Sequence, residues 1–481
     1  MAKKKETVGL NVKKKDNLSE WYTQVVQKAE LADYSSVSGC MVLRPNAYAV
    51  WEKIQGIFDE MIKKTGHRNA YFPLFIPEHL LIKEKEHVEG FAPEVAWVTH
   101  AGNTKMKERL AIRPTSETII NESYAKWVRS WRDLPLLLNQ WCNIVRWEFK
   151  YPKPFLRTRE FLWQEGHTVH AEEKEADKEV MDILNMYRDL MENYLAIPVL
   201  AGKKTEKEKF AGAVYTMTLE AFMPDGKALQ MGTSHMLGQN FAKAFKIKFL
   251  GKDEKYHTPW QTSWGITTRL IGAVIMVHGD DKGLVIPPKI APIHAVIIPI
   301  FFDKSKEKIL KKAEEIKKSL KNHNIEIDKR EEYSAGWKFN EWELKGIPLR
   351  IELGPKDLEK NQVVLVRRDT GEKKSVKIKE LEKKIKQALE NIQKNLFTKA
   401  KEFLGKSIVE INSWKDFLKA IKAKKIVKVF FCGEKECEDL IKYEADGATT
   451  RCIIFDGKKA NGKCIKCGKK AQYKVYFSKS Y

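Results

Sequence analysis

Residues 136–170, from Leu136 to His170, read LLLNQWCNIVRWEFKYPKPFLRTREFLWQEGHTVH. Two runs in which large apolar and polar residues alternate flank a loop carrying Pro152 and Pro154, the pattern of an antiparallel hairpin. Side chains in a strand alternate between faces, so residues two apart share one. On the first arm that joins Arg146 and Glu148. On the second it joins Arg157, Phe161, Trp163, Glu165 and His167. One face of one hairpin then carries two guanidiniums, two large aromatics, carboxylates and an imidazole. Unpaired buried charge is heavily penalised, so such a face expects a ligand. A polyanion with an aromatic base fits it, because Arg forks suit phosphate oxygens and a Phe face suits a purine. The competing reading is a solvated, salt-bridged sheet face with Phe161 and Trp163 in an ordinary core.

The chain has 481 residues, 43% hydrophobic and 31% charged, enough to bury sizeable cores in about three domains. Lys plus Arg number 87 against 64 acids, a net +23. An excess of that size points to a polyanionic partner, nucleic acid before membrane surface, although any single Lys run also reads as a solvated helix face. No run of about 18 apolar residues occurs, so neither a transmembrane helix nor a membrane partner is expected. The start, MAKKKETVGLNVKKK, is basic without the apolar stretch of a signal peptide. Residues 1–16 read as a flexible basic arm. Seven cysteines without such a signal point to a reducing, cytoplasmic location.

In chain order, Asn17 to Ala32 has the spacing of an amphipathic helix, and a second helix is expected from Asn46 to residue 64. Residues 68–77 read as a short apolar strand between prolines, at a sheet or subunit boundary, and residues 78–90 as a charged helix. In Arg113-Pro114-Thr115-Ser116-Glu117-Thr118, Thr115 or Ser116 is expected to cap a helix reaching Trp131, with Glu117 in its first turn. Such a cap leaves donors and a carboxylate aimed at whatever precedes the helix. Residues 171–194 read as a helix. Residues 213–236 read as a hairpin turning at Pro224-Asp225-Gly226. On its return arm Thr233 and His235 share a face, which Gln230 joins only if Gly232 permits a bulge. Trp264 to Gly272 is expected to open a buried helix ending near His278, with Arg269 at its head, either awaiting a ligand or bridged to a neighbouring helix. Pro287-Pro288 marks a linker. Beyond it come a strand at Ala295–Ile300, a Lys-rich helix that Asp303 could cap, strands near Leu349–Leu353 and Gln362–Arg368, and a helix to Leu396. Strands alternating with helices imply an α/β module with a mixed or parallel sheet. A third unit fills 401–481.

In that last unit Cys432 and Cys437 lie in CGEKEC, and Cys464 and Cys467 in CIKC. Two close pairs bracketing a loop suit tetrahedral thiolate ligation of Zn2+, and four thiolates make such a site structural. Free thiols or a redox disulfide pair are the alternatives. Cys452 reads as an apolar-strand residue and a poor ligand candidate, and Cys40 and Cys142 as core thiols.

RPTSET (113–118), RTREFLWQEGHT (157–168), GTSHMLGQNF (232–241) and SWGITTRLIG (263–272) together resemble the class II aminoacyl-tRNA synthetases, specifically the prolyl-tRNA synthetases of the archaeal/eukaryotic type. The resemblance covers nearly the whole chain. It implies an α+β protein: an antiparallel-sheet catalytic domain with helices at 17–288, an α/β anticodon-binding domain at 289–400, and a small α/β zinc-binding domain at 401–481. It implies ATP-dependent activation of L-proline and transfer to tRNA(Pro), with Mg2+ and structural Zn2+, by a homodimer whose interface includes about 48–77. In the ATP site it puts Arg146 on the α-phosphate, Arg157 on the distal phosphates and Phe161 on adenine. Arg269 with Thr268 faces Phe161 or the γ-phosphate, Gln230 and Thr233 contact the nucleotide, and Glu148 helps hold Mg2+. In the proline site Thr115 and Glu117 accept from the secondary ammonium, Arg146 is shared, and Trp163, His235 and Phe210 wall the ring, supported by Glu165 and His167. Glu343 and Arg350 read guanine edges of the anticodon or pair with each other, lysines around 304–322 track phosphates, and the Tyr481 terminus folds back towards the active site. With only one helix, one hairpin and short connections between His170 and Trp264, no cis-editing domain is expected. The alternatives are another class IIa synthetase, for threonine, glycine or histidine, or a non-catalytic RNA-binding paralogue.

Overall fold

The computed structural model describes residues 9–87, 94–148, 151–301, 303–455 and 460–481. Helices α1 (Leu18–Lys28), α2 (Pro45–Lys64) and α3 (Glu117–Trp127) precede the hairpin. Its arms are β1 (Leu136–Val145) and β2 (Glu160–His170), paired from Leu136 opposite Val169 to Val145 opposite Glu160. Then come α4 (Glu173–Asp189), β3 (Leu200–Lys203), β4 (Tyr215–Phe222), β5 (Lys227–Gly238), β6 (Trp260–Thr267) and α5 (Arg269–His278). The strands lie in the order β3-β4-β5-β6-β2-β1, each pair antiparallel.

The two faces of this sheet have different fates. Val180, Ile183, Leu184 and Tyr187 recur at helical spacing on α4 and are buried in the core beneath the sheet. Tyr187 stacks on Phe58 of α2, ring centroids 4.9 Å apart, and meets Trp264 of β6 edge-on at 6.4 Å. Gly166 of β2 is required there: a Cβ would stand 2.1 Å from the Trp264 ring. Even-numbered residues of β2 thus face the helices, and odd-numbered ones face a cavity.

The second unit comprises β7 (Ala295–Pro299), α6 (Lys306–Ser319), β8 (Ile325–Ile327), α7 (Ala335–Leu344), β9 (Leu349–Leu353), β10 (Gln362–Arg367), β11 (Lys373–Lys377) and α8 (Leu381–Ser407). Its sheet, β8-β7-β9-β10-β11, is mixed, as expected: the first three strands are parallel and the last two antiparallel. The third unit comprises β12 (Ile408–Glu410), α9 (Trp414–Lys422), β13 (Ile426–Phe431), α10 (Lys435–Glu444), β14 (Thr449–Ile454) and β15 (Tyr473–Ser480). Its β14 pairs with β3, so strands of the first and third units share one 11-stranded sheet. Gly202 makes the join, since a Cβ there would lie 2.3 Å from the Ile453 carbonyl and 2.8 Å from the Cys452 sulfur.

Several expectations need correcting. The strand expected over 68–77 is two short pieces, Arg68–Asn69 and Phe75–Pro77, as Pro73 removes a ladder donor between them. Helix α3 stops at Trp127, and Trp131–Asp133 is a separate 3₁₀ turn. Trp264 to Thr267 finish strand β6 instead of opening a helix, because β5 and β2 pair with them on both sides. Ser305, not Asp303, is the N-cap residue of α6. Helix α8 runs to Ser407, past the end expected at Leu396. The described part of the N-terminal arm is anchored: Leu10 and Val12 pack on the core of the first unit, and Lys14 Nζ donates to the Gly279 carbonyl at 2.6 Å. Residues 1–8 of that arm and 88–90 of the charged helix lie outside the described residues. Among the described residues no helix is long and apolar enough to cross a membrane.

Candidate active site

Arg146, Phe161, Trp163, Glu165 and His167 line one cavity of about 240 Å3. Thr115, just before α3, and Glu117, at its start, close it on one side, with Gln230, Thr233 and His235 from β5, Phe210 from the β3–β4 connection, and Arg269 from α5. Gln230 reaches this face through a bulge: Leu219 pairs with Gly232 and Glu220 with Gln230, so Met231 is the extra residue beside Gly232.

One end is cationic. Arg146 lies 5.9 Å from the Phe161 ring and 5.7 Å from Trp163, and its Nε donates to the Pro114 carbonyl at 3.1 Å. Arg269 donates to the carbonyls of Leu156 and Gln230, at 3.3 and 3.2 Å. Neither guanidinium makes an ion pair among the described residues. Burial, then the Arg146 charge, pull Arg269 down to about 10, with Arg157 and Arg451 adding to the effect against Glu220. Burial also lowers Arg146. Unneutralised guanidiniums held together this way are an anion site.

The other end is acidic and apolar. Ligand atoms of Glu117, Glu165 and His167 lie within 4.8 Å of one another. His167 Nε2 sits 3.0 Å from Glu165 Oε2. Burial opposes ionisation of both, but their mutual bond prevails, with Ser116 and Gln140 on Glu165 and the Glu117 charge on His167. Glu165 is held low and His167 high. Ser116 occupies the N-cap of α3 as expected, yet its hydroxyl donates to Glu165 and makes no cap bond. Thr115 donates to Glu117. Phe210 lies 4.7 Å from His235, whose Nδ1 is 2.9 Å from the Thr216 hydroxyl. Burial, then His167 and Arg146, push His235 down to about 3, so it is neutral.

Three expected residues stand outside the lining. Arg157 precedes β2 in a loop curled by Phe155 at φ 61°, where its backbone bridges Lys153, and its charge reaches Arg269. Glu148 is exposed in the turn after β1, its charge favouring ionised Arg146. Thr268 is buried at the head of α5, and Thr267 faces the cavity in its place. Sequence reading missed Thr267, Lys204, Glu208, Thr216 and Ser263, which line the cavity, and Gln140, which supports Glu165. The odd-residue stripe of β6 paired with β2 was the available signal for Ser263 and Thr267. Cys142 is more than a core thiol: Trp163 Nε1 donates to its sulfur at 3.2 Å, and its thiol donates to Glu165 at 3.4 Å. Burial raises it, which keeps it protonated.

Away from the cavity, the sulfurs of Cys432, Cys437, Cys464 and Cys467 lie within 4.8 Å of one another. That fits tetrahedral Zn2+, whose sulfurs stand about 3.8 Å apart for a bond of about 2.3 Å. The Glu434 and Lys469 amides donate to Cys432 and Cys467. Burial pushes Cys432 up to about 11 and raises Cys437, a cost that a divalent cation would reverse. Cys452 is buried in β14 and outside the cluster. Glu343 and Arg350 pair with each other at 2.9 Å, and Arg350, buried, also donates to Glu352. Tyr481 follows β15 beside β5: its ring lies 5.7 Å from Lys153 Nζ in the hairpin loop, and its hydroxyl donates to Asp225 at 2.6 Å.

Residues 97–278 match the family described as tRNA synthetase class II core domain (G, H, P, S and T), residues 294–388 the Anticodon binding domain, and residues 414–481 the family Prolyl-tRNA synthetase, C-terminal. The chain is 54% identical to "Proline--tRNA ligase" of Ruminiclostridium cellulolyticum over 483 residues, 100% of each. It is 53% identical to "Proline--tRNA ligase 2" of Bacillus cereus over 479 residues, 99% of this chain and 100% of that one. It is 52% identical to "Proline--tRNA ligase" of Natranaerobius thermophilus over 470 residues, 97% of each. A cationic cavity on an antiparallel sheet, three matched families in this order and full-length identity above one half together place the chain in the prolyl-tRNA synthetase family of class II aminoacyl-tRNA synthetases.

Proposed function

We propose that the protein is a proline–tRNA ligase. It activates L-proline with ATP to prolyl-adenylate and pyrophosphate, then transfers the prolyl group to the 3'-terminal adenosine of tRNA(Pro). The observation that carries the reading is one cavity with unpaired Arg146 and Arg269 at one end and Glu117, Glu165 and His167 converging at the other. The proline carboxylate attacks the α-phosphorus and pyrophosphate leaves, a displacement that needs positioning and charge neutralisation more than a protein nucleophile. Arg146 holds the α-phosphate and the proline carboxylate together. Arg157 takes the distal phosphates. Phe161 stacks on adenine opposite Arg269, and Gln230, Thr233 and the Thr267-Thr268 pair fix the nucleoside. Thr115 and Glu117 accept from the secondary ammonium, with Glu165 and His167 behind them, and Trp163, His235 and Phe210 close on the ring. Class II synthetases use ATP with Mg2+; bound here, the ion would neutralise phosphate charge, with Glu148 as its protein carboxylate.

The Cys432, Cys437, Cys464 and Cys467 cluster would hold structural Zn2+ with no open position. Glu343 and Arg350 would meet the anticodon as a preformed ion pair, whose outer edges remain for guanine. The units are 17–288, 289–400 and 401–481, the last boundary falling within the final two turns of α8. The exposed Tyr71 and Phe75 beside the short strands at 68–77 support a homodimer through that edge, to be checked by sedimentation. Seven unpaired cysteines support a cytoplasmic location. Between β2 and β6 the described residues form no separate domain, which supports the lack of cis-editing. An apolar wall separates substrates by only about 1–3 kcal/mol per methylene, so alanine should be activated and cleared by another protein.

The test is amino-acid-dependent pyrophosphate exchange with proline, threonine, glycine and histidine. Stimulation by proline, abolished in Arg146→Ala, is the expected result. Stimulation by threonine would move the chain to another class IIa activity, and none at all would favour a non-catalytic paralogue. A threonine enzyme would want zinc ligands inside the catalytic sheet; the sulfur of Cys142 there is instead engaged by Trp163 and Glu165.

A further inference from the structure

The cavity wall that carries Lys204, Glu208 and Phe210 belongs to a segment without helix or strand, between β3 and β4. It is held from two sides: Thr216 of β4 accepts from the Lys204 and Phe210 amides, at 2.8 and 3.0 Å, and the C-terminal unit supplies the rest. Two consecutive residues of the segment, Lys204 and Thr205, face two consecutive residues of β14, Thr450 and Arg451, across two buried carboxylates. Lys204 Nζ donates to Glu220 Oε1 at 2.7 Å, and Arg451 Nε and Nη2 donate to Glu220 Oε2 at 3.2 Å. One residue along, Glu438 of α10 accepts from the Thr205 hydroxyl at 3.0 Å and from the Thr450 hydroxyl. Exposure is 3% at Lys204, 1% at Glu220, 1% at Glu438 and 6% at Arg451. Each carboxylate therefore takes donors from both units. A buried carboxylate that loses a partner is left uncompensated, so such a pair fixes the two units in one relative placement.

We propose that the C-terminal unit completes the amino-acid end of the active site, with Arg451 and Glu438 as positioning residues that clamp segment 204–210 against the cavity. The inference rests on the reading of that cavity as the activation site. Phe210 packs on His235, whereas Arg146, Phe161 and Arg269 come from the hairpin and α5. Loosening the clamp therefore opens the proline end; at the nucleotide end the Glu220–Arg451 pair reaches Arg269 through charge, with no direct hydrogen bond among the described residues.

In proline-dependent exchange, with active sites titrated, Arg451→Met is expected to raise the KM for proline about tenfold and that for ATP less than about twofold. Arg451→Lys, which keeps a cation on Glu220, should recover most of the loss. Thr205→Val removes only the hydroxyl bound by Glu438, and should raise the proline KM about threefold. It decides the matter should Arg451→Met fail to fold. A general loss of stability would instead lower the active fraction or move both KM values together, and that result, or an unchanged proline KM in Thr205→Val, overturns the proposal. Amide hydrogen exchange of the substrate-free protein tests the clamp whatever the substrate. Residues 204–210 should exchange about tenfold faster in both variants; unchanged protection there sinks the clamp while leaving the assignment of the cavity standing.

Discussion

Arg269 shows how function and stability separate at a single side chain. Its guanidinium makes hydrogen bonds to two carbonyls and no ion pair among the described residues, and it sits among the charges of Arg146, Arg157 and Arg451. The Glu220 charge offsets part of their repulsion, and a bound anion would relieve the rest. Arg269→Met is expected to lose about 10²–10³ in kcat/KM for exchange, yet to melt no lower than the parent without ATP, as for residues strained in the service of a site. A clear fall in melting temperature would mean that Arg269 is a structural cation. Two of the buried histidines contribute to a pH dependence. Burial holds His278 at about 4, and burial with two nearby cations holds His235 at about 3. In the unfolded chain both protonate near 6.5. Between about pH 6.5 and 4 the unfolded chain binds more protons than the folded one, so stability should fall as the pH drops through that window. His278→Gln keeps a donor for the Leu195 carbonyl without a titrating ring. It should flatten the fall in melting temperature across that window; an unchanged slope would assign the acid lability to other groups.

At the scale of elements, the hairpin and its parity were legible in the sequence, because alternation over ten-residue arms leaves little choice of face. Phe161, Trp163, Glu165 and His167 accordingly meet in one cavity. Arg157 defeats the same rule because it precedes β2, where Phe155 breaks the extended backbone. Thr268 differs from expectation by one residue, the difference between a strand that ends at Thr267 and a helix that has already begun. Lys204 and Glu208 carried no local signal at all: they sit in an irregular segment placed by partners more than 200 residues away, such as Glu438. The pairing of β14 with β3 was equally invisible, since which two edges meet is a long-range matter. The cysteine cluster was legible from spacing, and its place on α10 gives it a consequence. Cys437 immediately precedes Glu438, so a metal that fixes α10 also fixes the residue that holds Thr205. Zn2+ at one per chain is expected on elemental analysis. Its removal by a chelator should lower the melting temperature and raise the proline KM severalfold, both restored by added Zn2+. Chelation without effect on either would confine the cluster to a local role.

Over the whole molecule, the net charge of +23 is too large to serve the cavity alone. Inside the cavity the cations are few and sheltered, so salt screens them weakly. On the second unit Lys308, Lys311 and Lys318 are exposed on α6, at spacings that put them along one stripe of the helix. A stripe of this kind is suited to phosphates of a folded RNA, which binds with release of counterions, so affinity falls steeply with salt. The two half-reactions should then part company as ionic strength rises. With about four phosphates neutralised at roughly 0.9 in log–log slope each, the KM for tRNA should climb on the order of a hundredfold between 50 and 200 mM salt. Proline-dependent exchange, which involves no RNA, should change little over the same range. Replacing Lys308, Lys311 and Lys318 together by Gln should reduce the slope for tRNA by about 0.9 per lysine that contacts phosphate, with exchange untouched. Equal salt sensitivity of both half-reactions would trace the effect to the cavity cations, and a triple variant with the parental slope would move the RNA path off α6.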